Sequence, residues 1–397
     1  MKKNFSFVFF ALLSIVLILL LMTLIQCSAG LTEPEKNNDV RALSKAEEDI
    51  VSSSASFGLN LIKEISKTEP DNNVIISPLS VSTAFGMVLN GANGKTYDEI
   101  KSTLGLQSGS LSGVNQAYQS LSELLTQIDP HVIFESANSI WYRQGVTFEQ
   151  SFFDVNKKYF DALVQELDFA NPSSVDIINN WVREKTKEKI KSIIDQIPPE
   201  AVMYLINAIY FKGTWLYTFD KNATKEENFY VTPDNSVKCM MMSQKSKFNY
   251  YSAEDYQAIE LPYGNGDFSM LVILPAMNNN INAFVNQMDE KFWSLLLDNM
   301  KEREVNLWLP KFELEYKIKL NDALIAMGIK SAFDPYNADF SKMRKEKDIF
   351  ISRVLHKTYI KIDEEGTEAA AVTAIEMGTT SVGGSKEIYM RVNHPFI

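Results

Sequence analysis

The feature that most constrains this chain is a run of small residues between an acidic stretch and the C-terminus. The run follows residues 363–366 (Asp-Glu-Glu-Gly) and reads Thr-Glu-Ala-Ala-Ala-Val-Thr over residues 367–373. Counted with a period of two, one face is uncharged, whereas the other holds Glu368 and Glu376. This alternation is typical of a half-buried strand, although alanine favours helices. The residues alone leave three interpretations open: a helical stub, an exposed loop, or a strand that fits into a crowded sheet.

The segment from Gly366 to about Lys386 matches no regular secondary-structure pattern. A loop of roughly twenty residues is unusual in a compact domain and is commonly functional or disordered.

Composition limits the classes of function. The chain has 397 residues, 45% of them hydrophobic, and a net charge of −11. This is an ordinary globular composition, and no linker divides it into separate domains. The acidic balance argues against binding of nucleic acid through a basic surface.

Residues 1–30 are predicted to be a targeting segment, followed by a flexible lead over residues 31–46. Lys2 and Lys3 precede an apolar run over residues 5–25, as in secretory signals. The run is also long enough to span a bilayer.

Three fates of this segment stay open. Cys27 matches the position of a lipid-modified cysteine, cleavage near Ala29 would release a soluble protein, and an uncleaved run would anchor the chain in a membrane. All three place residues 31–397 outside the cytoplasm, so an extracellular or cell-surface location is expected.

The cysteine count argues against a disulfide framework. Cys27 and Cys239 are the only cysteines, and loss or lipidation of Cys27 leaves Cys239 without a partner. Asn222 begins an Asn-Ala-Thr sequon, which predicts a glycosylation site in a glycosylating host.

The secondary-structure pattern indicates an α+β fold with mixed or antiparallel sheets. Ser77 before Pro78 predicts the start of a helix. The isoleucines and charges of residues 176–194 predict one long amphipathic helix. Short apolar runs predict strands, which cover residues 74–76, 132–142, 205–211, 268–274 and 305–309.

The sequence matches none of the enzyme motifs that we compared with it. Gly94-Lys95-Thr96 lacks the earlier glycine of a phosphate-binding loop, because that position is Leu89. The three histidines have no metal-ligand spacing, and no Gly-x-Ser-x-Gly sequence occurs. The chain is therefore expected to have no catalytic residues, metal or cofactor and not to be an enzyme.

Six separate motifs together resemble the serpin family, and the resemblance covers about residue 47 to the end. The motifs lie at residues 73–100 (with Ser77-Pro78-x-Ser80), 178–186, 207–215 (Asn207-Ala208-Ile209-Tyr210-Phe211-Lys212-Gly213-x-Trp215), 309–312, 356–357 and 364–371.

The resemblance implies an α+β serpin fold with about eight to nine helices around three β-sheets and an exposed reactive-centre loop at about residues 364–388. It implies a monomeric inhibitor of serine proteases, with cysteine proteases as a second class of target. A protease cleaves the loop and is trapped as an acyl-enzyme while the loop inserts into the large sheet. The alternative is a serpin-fold binding or carrier protein without inhibition, or a truncated inactive serpin.

The resemblance also assigns roles to individual residues. The loop hinge comprises Glu364, Gly366, Thr367, Glu368, Ala369, Ala370 and Ala371. Gly366 supplies backbone freedom, and a charge at Thr367 is expected to block insertion. The polar shutter beneath the opening sheet comprises Ser77, Ser80, Asn207 and His356, and Trp215 lies at the breach, where insertion begins.

The family's spacing places the reactive bond at Thr380-Ser381, which suits an elastase-like protease with a small or medium apolar pocket. Met377 and Lys386 are the other candidate positions, because Gly383-Gly384 lengthens the loop; Lys386 would attract a trypsin-like enzyme. The stretch over residues 113–127 has no basic cluster, so no activation by heparin is expected.

Two features depart from the family pattern. Val372 is bulkier than usual, although a β-branched residue still suits a strand. The chain ends at Ile397, where serpins continue with two apolar strands. From this we expect an open sheet edge, with instability or polymerisation as the consequence.

Overall fold

The computed structural model describes residues 40–106, 109–367 and 387–397. In these residues nine α-helices surround two hydrogen-bonded sheets. The helices are α1 Lys45–Thr68, α2 Pro78–Leu89, α3 Gly94–Thr103, α4 Leu111–Gln127, α5 Gln150–Phe160, α6 Ser173–Lys185, α7 Ile281–Gln287, α8 Glu290–Asn299 and α9 Asn321–Met327.

Twelve strands occur in the part of the chain that the structure describes. They are β1 Val132–Arg143, β2 Leu163–Leu167, β3 Met203–Thr214, β4 Lys225–Thr232, β5 Asn235–Ser252, β6 Tyr256–Tyr263, β7 Phe268–Pro275, β8 Lys301–Pro310, β9 Phe312–Lys319, β10 Leu355–Asp363, β11 Gly366–Thr367 and β12 Ile388–Arg391.

The first sheet has the strand order β2-β1-β3-β11-β10-β9, and the second has the order β12-β8-β5-β6-β7, with β4 paired to β5. Hydrogen bonding thus joins the strands into two sheets, whereas the resemblance implied three. The reason is β5, which pairs with β4, β8 and β6 along its 18 residues.

The two faces of the first sheet pack against different elements, because neighbouring residues of a strand point in opposite directions. Ile140 of β1 is buried with the apolar face of α1 and with α2, whereas Trp141 is buried with α6 and the chain that follows it. Burial of each large apolar side chain contributes about 1.5–3 kcal/mol to folding. The sheet is therefore covered on both sides.

The sequence pattern placed several elements correctly. Ser77 caps α2, and its hydroxyl accepts a hydrogen bond from the Ser80 amide at 3.2 Å. The predicted strands at residues 132–142, 205–211, 268–274 and 305–309 all lie within observed strands. Residues 74–76, by contrast, form no strand; the Ile75 carbonyl accepts a hydrogen bond from the Thr358 hydroxyl at 2.8 Å instead.

The helix predicted over residues 176–194 is wrong beyond Lys185. The Thr186 hydroxyl donates to the Val182 carbonyl and accepts from the Ile190 amide, so the chain turns away from the helix. Lys187 and Glu188 then adopt positive φ angles of 49° and 67°. The isoleucine spacing misled the prediction, because the helix and the extended chain after it pack on the same sheet.

Candidate functional site

Residues 364–367 follow the end of β10 and include the two-residue strand β11; they are the described part of the predicted loop hinge and are called the hinge below. Gly366 and Thr367 pair with Asp363 and Ile362 on one side and with Thr214 and Gly213 on the other. The hinge therefore already lies between β3 and β10 at one end of the first sheet. In the described residues no main-chain pairing joins β3 directly to β10. We call the space between these two strands the β3–β10 cleft.

Gly366 occupies a backbone position that other residues cannot take without strain. Its φ angle is 146°, and a Cβ atom built there would lie 2.1 Å from the Gly213 carbonyl oxygen and 2.8 Å from the Thr214 Cα. Glycine tolerates both the positive φ and the close approach of the neighbouring strand. The predicted role of this glycine thus has a geometric basis.

Thr367 is buried, and its side chain faces an aromatic pair. Its hydroxyl lies 2.6 Å from the phenol oxygen of Tyr263. The Tyr263 ring stacks on Trp215, with ring centroids 4.3 Å apart and an angle of 13° between the planes. Burial raises the pKa of the Tyr263 phenol well above its ordinary value, so the phenol stays protonated and able to donate. A charged side chain at position 367 would meet an apolar, closed environment.

Trp215 holds the main chain of the hinge. Its indole Nε1 donates to the Asp363 carbonyl at 2.9 Å, and its amide donates to the Glu365 carbonyl at 2.8 Å. Trp215 therefore lies where β11 pairs with β3, and its role at the breach stays a prediction.

The three carboxylates of residues 363–365 each have a lysine partner. Lys311 Nζ lies 2.7 Å from Glu364 Oε2, and Lys221 contacts Glu365. Lys361 lies 3.2 Å from the carboxylate of Asp363. Lys311 and Lys221 therefore attach the hinge to two separate parts of the fold, whereas Lys361 and Asp363 lie on the same strand, β10.

Glu364 is the most enclosed of these three carboxylates, with 4% of the residue exposed. Burial alone raises the pKa of this group. The hydrogen bonds from Lys311, from a backbone amide and from the Thr224 hydroxyl at 2.9 Å outweigh burial, so the pKa lies below its ordinary value. The carboxylate is therefore charged at neutral pH and depends on its partners.

The predicted shutter residues meet below the hinge, where α2 packs on β3 and β10. The Ser77 amide donates to His356 Nε2 at 2.9 Å, which assigns the imidazole proton to Nδ1. Burial lowers the pKa of His356 to about 4, so the ring is neutral at physiological pH. The Ser80 hydroxyl reaches the main-chain carbonyl of Asn207 at 3.5 Å.

The two polar atoms of the Asn207 side chain differ in their hydrogen bonding. Its Nδ2 donates to Ser136 at 3.1 Å and to Asn138 at 2.9 Å. Its Oδ1 is buried and has no hydrogen-bond partner among the described residues. A buried acceptor without a partner costs about 1–3 kcal/mol.

A cavity of about 210 Å³ adjoins the shutter. Its walls come from both strands of the cleft, from α2 and from the chain before β3. Representative lining residues are Ser80, Phe85, Ile194, Leu205, Asn207 and His356. The described residues thus leave room between β3 and β10 on the side where Asn207 Oδ1 lies.

The remaining predicted residues have mixed outcomes. Glu368, Ala369, Ala370, Ala371, Thr380, Ser381 and Cys27 lie outside the described residues, so their roles stay predictions. Asn222 lies in a short 3-10 helix, and its Nδ2 donates to Asp220 at 3.0 Å. No helix in the described ranges is both long and apolar enough to cross a membrane.

Sequence reasoning missed the partners of the hinge. Tyr263, Lys221, Thr224 and Lys311 contact residues 363–367 although they are 53–144 positions away in the sequence. No local pattern marks such pairs. The Pro310-Lys311-Phe312 motif was the one signal in the sequence near these contacts. It indicated a sheet segment, but not that Lys311 is a partner of the hinge.

The family-level comparison decides the classification. The family model described as "Serpin (serine protease inhibitor)" matches residues 52–397. This chain belongs to the serpin family. It is similar to human Serpin B13, with 33% identity over 370 residues that cover 87% of this chain and 93% of that protein.

Two solved structures resemble most of this chain. The crystal structure of human thyroxine-binding globulin complexed with thyroxine matches with a TM-score of 0.80 and 26% identity, covering 88% of this chain and 94% of that one. Native tengpin, a thermophilic serpin, matches with a TM-score of 0.78 and 30% identity, covering 90% of each chain. The α+β serpin fold predicted from the sequence is therefore confirmed.

Proposed function

We propose that this serpin inhibits a serine endopeptidase as a suicide substrate, through cleavage of its loop and insertion of the hinge side into the β3–β10 cleft. The observation that carries the proposal is β11. Gly366 and Thr367 already pair with β3 and β10 on both sides, so the first step of a new strand is in place. An added strand would then continue the pairing of Gly366 and Thr367 with β3 and β10, and it would need no new register.

The existing register predicts the neighbours of each inserted residue. Thr367 lies opposite Gly213 and Ile362, and both pairings are antiparallel. Six residues further along, Thr373 would lie between Asn207 and His356. Two residues beyond that, Ile375 would lie between Leu205 and Val354. The register therefore directs the loop into the shutter.

The chemistry of these positions fits insertion. In an inserted strand, residues 369, 371, 373 and 375 would share the face of Thr367, because side chains alternate along a strand. The Thr373 hydroxyl would come close to Asn207 Oδ1, the buried acceptor that has no partner in the described residues. Ile375 would enter the cavity of about 210 Å³ beside Leu205. Insertion would thus satisfy a polar atom and fill an apolar space.

The free energy of strand addition is large enough to drive the change. Each backbone hydrogen bond contributes about 0.5–1.5 kcal/mol net, so an added strand of about nine residues, bonded on both edges, contributes on the order of 10 kcal/mol. That is comparable to the total stability of a domain, which is about 5–15 kcal/mol. This free energy, released while a protease is held as an acyl-enzyme, would suffice to distort that protease.

The reactive bond that we propose is Thr380-Ser381, and the partner is an elastase-like protease. The family's spacing from Gly366 supports this bond, and both of its residues lie outside the described ranges. We also propose that the chain acts outside the cytoplasm, on the basis of the N-terminal targeting pattern.

The test is incubation of the full chain with elastase-like and trypsin-like enzymes, followed by denaturing gel electrophoresis and mass spectrometry. We expect a denaturant-resistant complex with an elastase-like enzyme and a released peptide that begins at Ser381. The matched control is Thr380→Lys, which should shift complex formation to a trypsin-like enzyme. Loop cleavage by every protease without any complex would support the alternative, a serpin that binds or carries a partner.

A further inference from the structure

Three side chains meet on the outer face of the second sheet: Trp308 of β8, and Tyr389 and Arg391 of β12. We call them the Trp308 cluster. The Trp308 and Tyr389 rings stack, with centroids 6.2 Å apart and an angle of 22° between the planes. The Arg391 guanidinium lies 4.5 Å from the centre of the Trp308 ring and also contacts Glu227 of β4. Tyr389 is 55% exposed, so the cluster presents an aromatic ring and a cation to solvent.

The strand pattern explains why these side chains point outward. Neighbouring residues of a strand point to opposite faces of the sheet. The two residues beside Trp308 are buried in the core, and so is Met390, which separates the two cluster residues of β12. Arg391 lies opposite Trp308 in the parallel pairing of β12 with β8. The cluster is therefore the exposed face of strands whose other face is core.

Hydrogen bonds hold the main chain around the cluster in place. The Val392 amide donates to the Trp308 carbonyl at 2.9 Å. Gln257 of β6 donates through Nε2 to the Tyr389 carbonyl at 3.3 Å. A surface that is already ordered in this way loses little conformational entropy when a partner binds.

Carboxylates border the Tyr389 side of the cluster. The Tyr389 hydroxyl contacts Glu387, and Lys245 of β5 lies 3.4 Å from Glu387 and 2.9 Å from Glu304 of β8. The hydrogen bonds from Tyr389 and Lys245 lower the pKa of Glu387, so this carboxylate is charged at neutral pH. Among the described residues two carboxylates thus share one lysine, which favours a partner that brings a further cation.

The cluster is close along the chain to the proposed reactive bond. Glu387 is six residues after Ser381, and a fully extended chain of that length spans only roughly 20 Å. Thr367, at the other end of the loop, is 13 residues before Thr380. A protease domain of about 220 residues has a radius of gyration of about 17 Å. A protease bound at the reactive bond therefore has the start of β12 within its reach.

We propose that the Trp308 cluster is a docking surface for the target protease, which contacts it while the loop occupies the catalytic cleft of the protease. This inference rests on the proposed function, because it adds a second contact to the same complex. Tryptophan, tyrosine and arginine are the residues most enriched among the side chains that dominate binding at interfaces. The protease surface that fits carries an apolar side chain to cover the Tyr389 ring and a lysine or arginine to face Glu387 and Glu304.

The first test locates the contact by photo-crosslinking. The full chain carries p-benzoylphenylalanine in place of Tyr389 and is mixed with an elastase of the chymotrypsin fold whose catalytic serine is replaced by alanine. The matched control carries the same probe in place of Tyr336, which is 94% exposed in the turn after the 3-10 helix Ser331–Phe333. We expect the protease to be crosslinked at position 389 and not at position 336. No crosslink at position 389, or equal crosslinking at both positions, would overturn the inference.

The second test measures the second-order rate constant of complex formation with the active elastase. Tyr389→Ala removes the exposed ring, Tyr389→Phe keeps it, and Tyr336→Ala is the control for loss of an exposed tyrosine. We expect a rate about 5- to 30-fold lower for Tyr389→Ala, as for truncation of a dominant interface side chain, and rates close to that of the unchanged chain for the other two.

The fraction of chain that is cleaved without forming a complex should stay the same in all variants, because the cluster lies on the second sheet and not in the β3–β10 cleft. Equal rates for Tyr389→Ala and Tyr336→Ala would overturn the inference. A lower rate for Tyr389→Ala together with more cleaved chain would also overturn it, because the substitution would then act on insertion and not on docking.

These outcomes are distinct from failure of the proposed function. A chain that crosslinks to the inactive protease at position 389, but is cleaved by the active protease without a covalent complex, would keep the docking surface and lose the inhibitor. A chain that forms the complex equally fast as Tyr389→Ala would keep the inhibitor and lose the docking surface. Neither a crosslink nor a complex would overturn both.

Discussion

The two ends of the β3–β10 cleft are built differently. At the hinge, β11 joins the strands, the glycine fits against the neighbouring backbone, and each carboxylate has a lysine partner. At the shutter, Asn207 Oδ1 has no partner in the described residues, a cavity adjoins the strands, and the chain between α6 and β3 (residues 186–201) packs across them. The first end is closed and the second is open to a new strand. The proposed insertion would therefore begin at the ordered end and proceed towards the under-satisfied one.

The largest expected effect comes from a charge at the ordered end. Thr367→Arg would place a guanidinium beside Tyr263 and Trp215 in a buried site, which costs several kcal/mol. We expect the loop to be cleaved normally while the covalent complex is lost. The measurement is the ratio of complex to cleaved chain on a denaturing gel.

Thr367→Val is the matched control, because it keeps the shape and removes only the hydrogen bond to Tyr263. It should destabilise the chain by about 1–2 kcal/mol and still form the complex. An arginine variant that inhibits as well as the valine variant would show that the hinge need not enter the sheet.

The next effect concerns pH at the open end. His356 has a pKa of about 4 in the folded state, against an ordinary value of 6.5. Because the unfolded chain binds the proton more readily, the contribution of His356 is fully present above pH 6.5 and is lost as pH falls towards 4. The loss amounts to about 3 kcal/mol, and urea unfolding at several pH values measures it.

His356→Gln keeps an acceptor for the Ser77 amide but does not titrate. Its stability should change less than that of the wild type between pH 6.5 and pH 4. Identical pH profiles for the two chains would mean that protonation of His356 does not change the stability of the folded chain.

A smaller effect is expected from the carboxylates of the hinge. Lys311→Met leaves the Glu364 carboxylate buried without its lysine, and we expect a loss of about 1–3 kcal/mol in the free energy of unfolding. Lys361→Met, whose lysine is similarly exposed beside Asp363, should cost less than about 1 kcal/mol. Equal costs would contradict the view that Glu364 is the more important attachment.

The pH dependence of the same pair has a defined sign. The pKa of Glu364 is lowered in the folded state, so its contribution is present above the ordinary value of 4.5 and is lost as pH falls through the folded value. Lys311→Met should therefore flatten the stability profile below about pH 4.5.

The smallest effect tests the register at the open end. Thr373→Val removes the hydroxyl that would approach Asn207 Oδ1 on insertion. We expect the uncleaved chain to be unchanged and the cleaved chain to lose about 1 kcal/mol of stability. Thr379→Val, closer to the proposed reactive bond, is the control. A loss in the uncleaved chain would place Thr373 in a different environment.

The sequence predicted the parts of this site that depend on local pattern. Gly366 before small residues, the Ser77 cap before Pro78 and the strand at residues 205–211 were all readable, because neighbours along the chain determine them. Lys311 and Tyr263 could not be assigned as partners of the hinge, because the fold alone brings them there. Residues 186–194 were wrongly predicted to be helical, because the spacing of apolar residues shows which side chains are buried and not whether the backbone is helical.

The central claim is that a strand enters between β3 and β10, and amide hydrogen exchange tests it most directly. The loop would be cleaved by a non-target protease, and exchange in residues 203–212 and 355–361 would be compared before and after cleavage. The account predicts strong new protection in both segments, together with a higher midpoint of thermal unfolding. Unchanged exchange in both segments after complete loop cleavage would contradict it.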